Sequence, residues 1–167
     1  SKGVTEKQNK VDFIVCNSGT NLLVTDAPME YFVIKTSDGL VDVRPLPVAQ
    51  LSVECGVTLA RAAAEAQALG PTGLEFAHGI PGTVGGGVYM NAGAYGGEIC
   101  QVCESVEVMD EQGNLSVLSN QQMDFSYRHS RLETEGGIVL SAIFALTPKP
   151  VEEIRAVMQD LMSRRRS

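Results

Sequence analysis

The sequence has no tryptophan, and all its aromatic residues together make up 5% of 167 residues. The core must therefore come from aliphatic side chains, and an apolar content of 44% is enough to build one domain of ordinary size and to exclude a disordered chain. Basic residues are also scarce. Thirteen Lys and Arg face twenty Asp and Glu, a net charge of −7, and the only basic block is Arg164, Arg165 and Arg166. Neutralising nucleic-acid phosphates needs a basic face, so nucleic acid is excluded as the main partner, and any anionic ligand needs local help. No apolar run approaches the roughly 20 residues of a spanning helix, and the opening SKGVTEKQNK has no hydrophobic signal core. These absences predict a cytosolic protein with no membrane partner. Metal chemistry is not expected either. Of four cysteines only Cys100 and Cys103 lie close together, and neither His78 nor His129 has a neighbour at ligand spacing. The chain also lacks an initiator Met and opens like the tail of a surface helix, which suggests a piece of a longer protein.

What is present reads as an α+β pattern rather than a regular alternation of strand and helix. Asp12 to Cys16 predicts a buried strand running into the polar turn Asn17-Ser18-Gly19-Thr20-Asn21. Tyr31 to Thr36 and Leu40 to Val43, divided by Ser37-Asp38-Gly39, predict a β-hairpin, and Leu51 to Glu54 a further strand. A helix follows. Thr58 can cap it, Leu59, Ala62, Ala63, Ala66 and Leu69 recur on one face, and Gly70-Pro71 stops it. Ser105 to Asp110 and Leu115 to Leu118 flank Glu111-Gln112-Gly113-Asn114 as a second hairpin, Ser119 can cap a turn through Gln122, and Gly137 to Leu146 reads as a long strand. The last helix begins near Pro150, with Glu152 and Glu153 in its first turn, arginines in its last, and Val151, Ile154, Met158 and Leu161 on its buried face.

Three segments carry chemistry. The turn Asn17 to Asn21 can aim backbone N–H groups, hydroxyls and amides at an anion without positive charge, although the same composition also serves an ordinary turn. Gly79 to Gly97 holds eight glycines in nineteen residues and almost no charge. Each glycine carries an entropic cost, so this density suggests that something large lies against the backbone. The interleaved Val84, Val88, Tyr89, Met90 and Tyr95 predict that the segment is buried. No Gly-Lys-Ser/Thr follows it, and it does not fit the dinucleotide fingerprint of a strand, a tight glycine turn and a helix. In Phe125-Ser126-Tyr127-Arg128-His129-Ser130-Arg131, an arginine beside aromatics suits a cation over a flat ligand or a donor to a developing oxyanion, and equally an ordinary surface arginine. His129 has no visible carboxylate partner.

Taken in order, these segments resemble the UDP-N-acetylenolpyruvoylglucosamine reductase (MurB) family of bacterial cell-wall synthesis. GIPGTVGGGVYMNAGAYGGE, from Gly79 to Glu98, resembles the family signature, with Gly87 where Ala is expected. Gly19-Thr20-Asn21-Leu22-Leu23 is similar to its flavin pyrophosphate loop, departing at Asn17 where the family usually has Gly, and Phe125 to Ser130 is similar to its Tyr-Arg motif. The resemblance runs from about Asp12 to Arg166. It implies the second lobe of a PCMH-like FAD-binding domain, with a mixed or antiparallel sheet and flanking helices. It further implies a cytoplasmic, monomeric oxidoreductase of peptidoglycan synthesis, in which NADPH reduces FAD and the reduced flavin passes hydride to the double bond of UDP-N-acetylglucosamine enolpyruvate, giving UDP-N-acetylmuramate. Carried over residue by residue, FAD contacts fall on Asn17, Ser18, Gly19, Thr20, Asn21, Gly79, Ile80, Pro81, Gly82, Thr83, Gly85, Gly86, Ile138 and Val139, and contacts to the UDP-sugar on Tyr127 and Arg128. Arg128 is implied to be catalytic, stabilising the enolate-like intermediate. The family's earlier flavin lobe, and its later substrate domain with a proton-donating Ser and a catalytic Glu, have no counterpart in these residues, so this chain alone is expected to be inactive. Two other readings remain open. One is an FAD oxidase or dehydrogenase of the same domain type, with His78 as a candidate flavin tether. The other is a non-catalytic nucleotide-binding domain.

Overall fold

The computed structural model describes residues 13–16, 19 and 32–166. In chain order the elements are β1 (Phe13–Cys16), β2 (Phe32–Lys35), β3 (Val43–Leu46), β4 (Gln50–Glu54), α1 (Leu59–Leu69), β5 (Pro71–Thr72), a 3₁₀ turn over Glu75–Gly79, α2 (Val84–Tyr89), β6 (Gly93–Ala94) and β7 (Gly97–Glu98). After a second 3₁₀ turn at Ile99–Gln101 come β8 (Cys103–Met109), β9 (Leu115–Ser119), α3 (Arg131–Glu135), β10 (Ile138–Ala145), β11 (Thr147–Pro148) and α4 (Val151–Arg166).

The main sheet is antiparallel throughout, in the order β3-β4-β10-β8-β9. Its core face follows from the two-residue period of a strand: Leu51 and Val53, Val106 and Val108, and Ala142 and Phe144 are all buried. The helical side chains Leu59, Ala62, Ala63, Ala66, Val84 and Val88 belong to the same core. Ile154 and Met158 of α4 join it.

Helix α1 has the ends that its sequence predicts. The Arg61 amide donates to Thr58 Oγ1 at 3.1 Å, and Gly70 terminates the helix in the left-handed region at φ +94°. Leu69 departs from the predicted face and is 51% exposed. At 3.6 residues per turn it stands about 80° round the helix from Leu59, at the edge of the apolar stripe. On α4, Ile154 and Met158 are buried as expected, whereas Leu161 is half-buried. The β8–β9 hairpin forms around Asp110, whose side chain accepts the amides of Gln112 and Asn114 at 2.9 and 2.8 Å. Ser119 and Gln122 cap the next turn reciprocally, amide to side chain in both directions.

The first predicted hairpin is not observed. The chain does turn at Ser37–Gly39, with the Leu40 amide donating to the Thr36 carbonyl at 3.2 Å. However, β2 pairs in parallel with β1, Phe13 opposite Phe32, and the strand after the turn pairs with β4. The physical reason is that residues 40–42 are already engaged: Gly56 donates to Leu40 O at 2.7 Å, Glu54 to Asp42 O at 3.0 Å, and the Asp42 amide to Glu54 Oε2 at 2.7 Å. In β1, Ile14, Val15 and Cys16 are half-buried rather than buried. The hairpin that does form, β3–β4, turns through Val48 and Ala49 at φ +62° and +56°. Left-handed residues at both positions are usually Asn or Gly, which is why the composition gives no sign of this turn.

The described cysteines are unbridged. Cys103 is 4% exposed, and burial pushes its thiol from 9.0 up to about 12. Above pH 9 the unfolded chain loses this proton while the native chain keeps it, so stability falls as pH rises towards 12, by about 1.4 kcal/mol per unit from this group, with no effect below pH 9. Urea titrations at pH 8 to 11 on the native chain and on Cys103→Ala should show the steeper alkaline loss in the native chain. Equal slopes would contradict this account.

Candidate functional site

The glycine-rich segment is fastened by its backbone to the turn that joins β4 to α1. Leu59 N donates to Gly82 O at 3.0 Å, Val84 N to Val57 O at 2.8 Å and Gly85 N to Cys55 O at 2.9 Å, and Thr83 bridges Thr58. These bonds start α2, a six-residue helix with three consecutive glycines. Propensity argues against such a helix, and the sequence reading missed it. Tertiary hydrogen bonding outweighs the cost of about 1 kcal/mol per glycine.

The glycines divide by what surrounds them. A Cβ on Gly87 would lie 3.1 Å from both methyls of Leu59, one on Gly93 2.8 Å from the Gly97 carbonyl, and one on Gly97 2.6 Å from the Phe76 ring. Packing alone requires glycine at 93 and 97 and crowds position 87, so the density of the segment is partly a folding requirement. Gly86 differs: it is exposed, and nothing lies within 4 Å of the position its Cβ would take. Gly82 takes φ +127°, which bends the chain into α2. The segment is only partly buried. Val84 and Val88 are fully enclosed, while Tyr89 and Tyr95 are 37% and 46% exposed, contrary to expectation.

The Tyr-Arg motif is a tight turn. Ser126 N donates to His129 O at 3.0 Å and His129 N to Ser126 O at 3.2 Å, with Arg128 at φ +50°. Tyr127 projects into solvent, 85% exposed. Two connections fix the turn to the end of α2: Asn91 Nδ2 donates to Ser126 O at 2.9 Å, and Ser130 Oγ to Tyr89 O at 2.6 Å. Asn91, Gly93, Ala94, Gly96, Gly97 and Glu98 line a cleft of about 210 Å³ together with Tyr127 and Arg128. The second and third predicted segments therefore meet.

The two arginines of the motif behave differently. Arg131 donates to Gln122 O at 3.0 Å and to Glu135 Oε1 at 2.9 Å, and Glu135 raises its pKa. Arg128 has a 4.0 Å contact with Met90 Sδ and, among the described residues, no ion pair. His129 does have a carboxylate partner, Glu133, at 2.5 Å. Glu133 stands in the first turn of α3 and His129 just ahead of its cap, Ser130, so the pair depends on how the turn enters the helix. Burial and the Glu133 charge push the Tyr89 phenol up, so it stays protonated at neutral pH.

Asn17, Ser18, Thr20 and Asn21 lie outside the described residues, and Gly19 is exposed at φ +65°. Gly79, Ile80, Pro81, Gly82, Thr83, Gly85 and Gly86 run from the end of the 3₁₀ turn into α2. Ile138 and Val139 open β10 opposite Met109 and Val108. Val139 is buried in the core, so its side chain is not available to a ligand. His78 lines a separate cavity of about 680 Å³ with Gln67, Arg155, Met158 and Gln159. The residues present fit a flavin nucleotide in one definite respect: at exposed Gly86, beside the bend at Gly82, a flat ligand can lie directly on the backbone. Among the described residues no helix is long and apolar enough to cross a membrane.

The family described as FAD binding domain matches residues 5–119, and the chain belongs to it. The particular kind follows from its relatives. The UDP-N-acetylenolpyruvoylglucosamine reductase of Caldanaerobacter subterraneus is 43% identical over 162 residues, covering 96% of this chain and 52% of the relative. The crystal structure of UDP-N-acetylenolpyruvylglucosamine reductase (MurB) from Thermus caldophilus superposes with a TM-score of 0.80 at 31% identity, over 95% of this chain and 57% of that one. A Phl p 4 variant described as a glucose dehydrogenase shares the fold alone, with a TM-score of 0.63 at 16% identity over 84% of this chain and 31% of that one. The fold is the PCMH-like α+β flavin-domain fold, of the MurB type. The chain spans about half the length of the curated relatives it matches.

Because Gly97 packs against the base of the Phe76 side chain, Gly97→Ala should lower the stability of the chain by about 1–3 kcal/mol in urea denaturation. An unchanged midpoint would show that the ring yields freely.

Proposed function

We propose that this chain is the flavin-holding part of a bacterial, cytoplasmic, monomeric enzyme of peptidoglycan synthesis. The enzyme reduces UDP-N-acetylglucosamine enolpyruvate to UDP-N-acetylmuramate with NADPH as hydride donor. The observation that carries this reading is the cleft in which Arg128, free of any ion pair among the described residues, faces the far end of the glycine-rich segment. The chemistry that FAD supplies when bound is hydride transfer from NADPH to the enolpyruvyl double bond. On this reading Asn17, Ser18, Gly19, Thr20 and Asn21 hold the pyrophosphate, and the backbone from Gly79 to Gly86 lies along the cofactor, helped by Ile138 and the main chain of Val139. Tyr127 flanks the UDP-sugar. Arg128 meets the negative charge that develops on the enolpyruvyl group as hydride arrives, a donor already oriented for charge that the ground state lacks. On a chain of net charge −7, that local cation supplies what the overall field does not. The proton that completes the reduction is assigned to a group outside these residues, so the chain by itself should not turn over.

Two variants test the roles. Gly86→Ala sits on a helix face with room for a methyl group, so it should keep or slightly raise stability, by up to about 1 kcal/mol, while weakening FAD uptake about tenfold or more in a flavin-fluorescence titration. Undiminished uptake would remove Gly86 from the flavin surface. In the enzyme that carries this chain, Arg128→Ala should retain flavin absorbance and lose substrate reduction by about 100-fold or more. A loss below threefold would make Arg128 an ordinary surface residue and favour the non-catalytic reading.

A further inference from the structure

An arginine in the left-handed region is strained and does not hold its turn unaided. The turn that carries Arg128 closes on itself through Ser126 and His129, and it is also held from outside at both flanks. On one side is Asn91, 2% exposed and itself at φ +46°. Its Oδ1 accepts the Cys100 amide at 2.9 Å, which fixes the orientation of the amide group, and its Nδ2 then donates to Ser126 O and to Glu98 Oε2, each at 2.9 Å. On the other side is Ser130, fully buried, with its hydroxyl donating to Tyr89 O at 2.6 Å. Both anchors sit at the carboxyl end of α2, the helix whose opening turn is assigned above to the cofactor surface. The Arg128 backbone therefore cannot shift relative to that helix without breaking a buried hydrogen bond.

We infer that Asn91 and Ser130 form a two-point clamp and act as positioning residues, setting where the Arg128 guanidinium stands relative to the cofactor surface of α2. The inference rests on the reading of Arg128 given above. It extends that reading to two side chains that need not touch substrate. A misplacement of about 1 Å at a reacting centre can cost on the order of 100-fold, so the effect should appear in the step that uses Arg128.

Asn91→Asp keeps the acceptor for Cys100 but replaces the donor to Ser126 with an oxygen. Ser130→Ala cuts the other point, and serves if the first variant folds poorly. In the chain without cofactor, hydrogen exchange at the Ser126 and His129 amides should quicken at least about tenfold in either variant, with β8 and β10 unchanged. In the flavin-loaded enzyme, reoxidation of reduced flavin by the enolpyruvyl substrate should slow by about 10- to 100-fold, with flavin absorbance retained. Added to Arg128→Ala, Asn91→Asp should slow that step less than twofold further, because a positioning residue has nothing left to position. Turn exchange that stays within twofold of native, or full additivity with Arg128→Ala, overturns the clamp. If Arg128→Ala alone leaves reoxidation intact, the reading of Arg128 fails and takes the positioning role with it, while the exchange rates still decide whether the clamp exists.

Discussion

Four residues between β4 and α1, Cys55 to Thr58, hold the molecule together. Gly56 is compulsory there: a Cβ would lie 2.4 Å from the Thr36 carbonyl oxygen and 2.6 Å from that of Leu40. With the side chain absent, the turn draws in four neighbours through its backbone. Gly56 N reaches Leu40 O, Cys55 N reaches Leu140 O in β10, and the carbonyls of Cys55 and Val57 receive the amides of Gly85 and Val84. Cys55 and Val57 are each 1% exposed, so an unmatched N–H or C=O here would bear a full desolvation penalty. The sheet, the segment before β3, the start of α1 and the start of α2 therefore have one mutually consistent arrangement.

From that anchor α2 acts as a short spacer. Six residues span about 9 Å, carrying the chain from the Cys55 contact to Tyr89 and Asn91, where the Arg128 turn is held. One side of the helix comes close to Leu59 at Gly87, and the other remains bare at Gly86. The two faces differ in what they ask of the residue there. Close packing favours a small residue at Gly87, whereas at Gly86 a side chain would meet nothing within 4 Å.

The parts of this fold that could be read from sequence have their stabilising partners close by in the chain. Thr58 caps α1 from three residues away, Gly70 stops it, and Asp110 closes the β8–β9 hairpin within four residues. The features that escaped depend on distant partners or on conformations the residue type conceals. Helix α2 needs the Cys55 and Val57 carbonyls, the β3–β4 turn uses Val48 and Ala49 where Asn and Gly are usual, and the partner of β2 is β1 rather than the strand after the next turn. The site shows the same division. Glycine density and the arginine beside tyrosine mark two of its walls from composition and from the family resemblance. Asn91 carries no local signal of its role, because its partners stand 7, 9 and 35 residues away.

The remaining question is how an acidic chain presents a usable positive charge. Several cations are paired: Arg44 with Asp42, Arg61 with Glu65, Arg131 with Glu135, Arg155 with Glu152 and Arg164 with Asp160. Exposed pairs of this kind add little stability, but each removes a competing site for an anion. Within the cleft, Glu98 is the one carboxylate among the lining residues. It is occupied, accepting from Asn91 and from the Gln101 amide in a capping box. Arg128 thus stands without an ion pair among the described residues, while the carboxylate that lines its cleft accepts from neutral donors. A net charge of −7 repels an anionic ligand at long range, but salt screens that field beyond about 8 Å. On the reading proposed above, recognition of an anion at this cleft is a contact effect, decided by a guanidinium whose turn is held by Asn91 and Ser130.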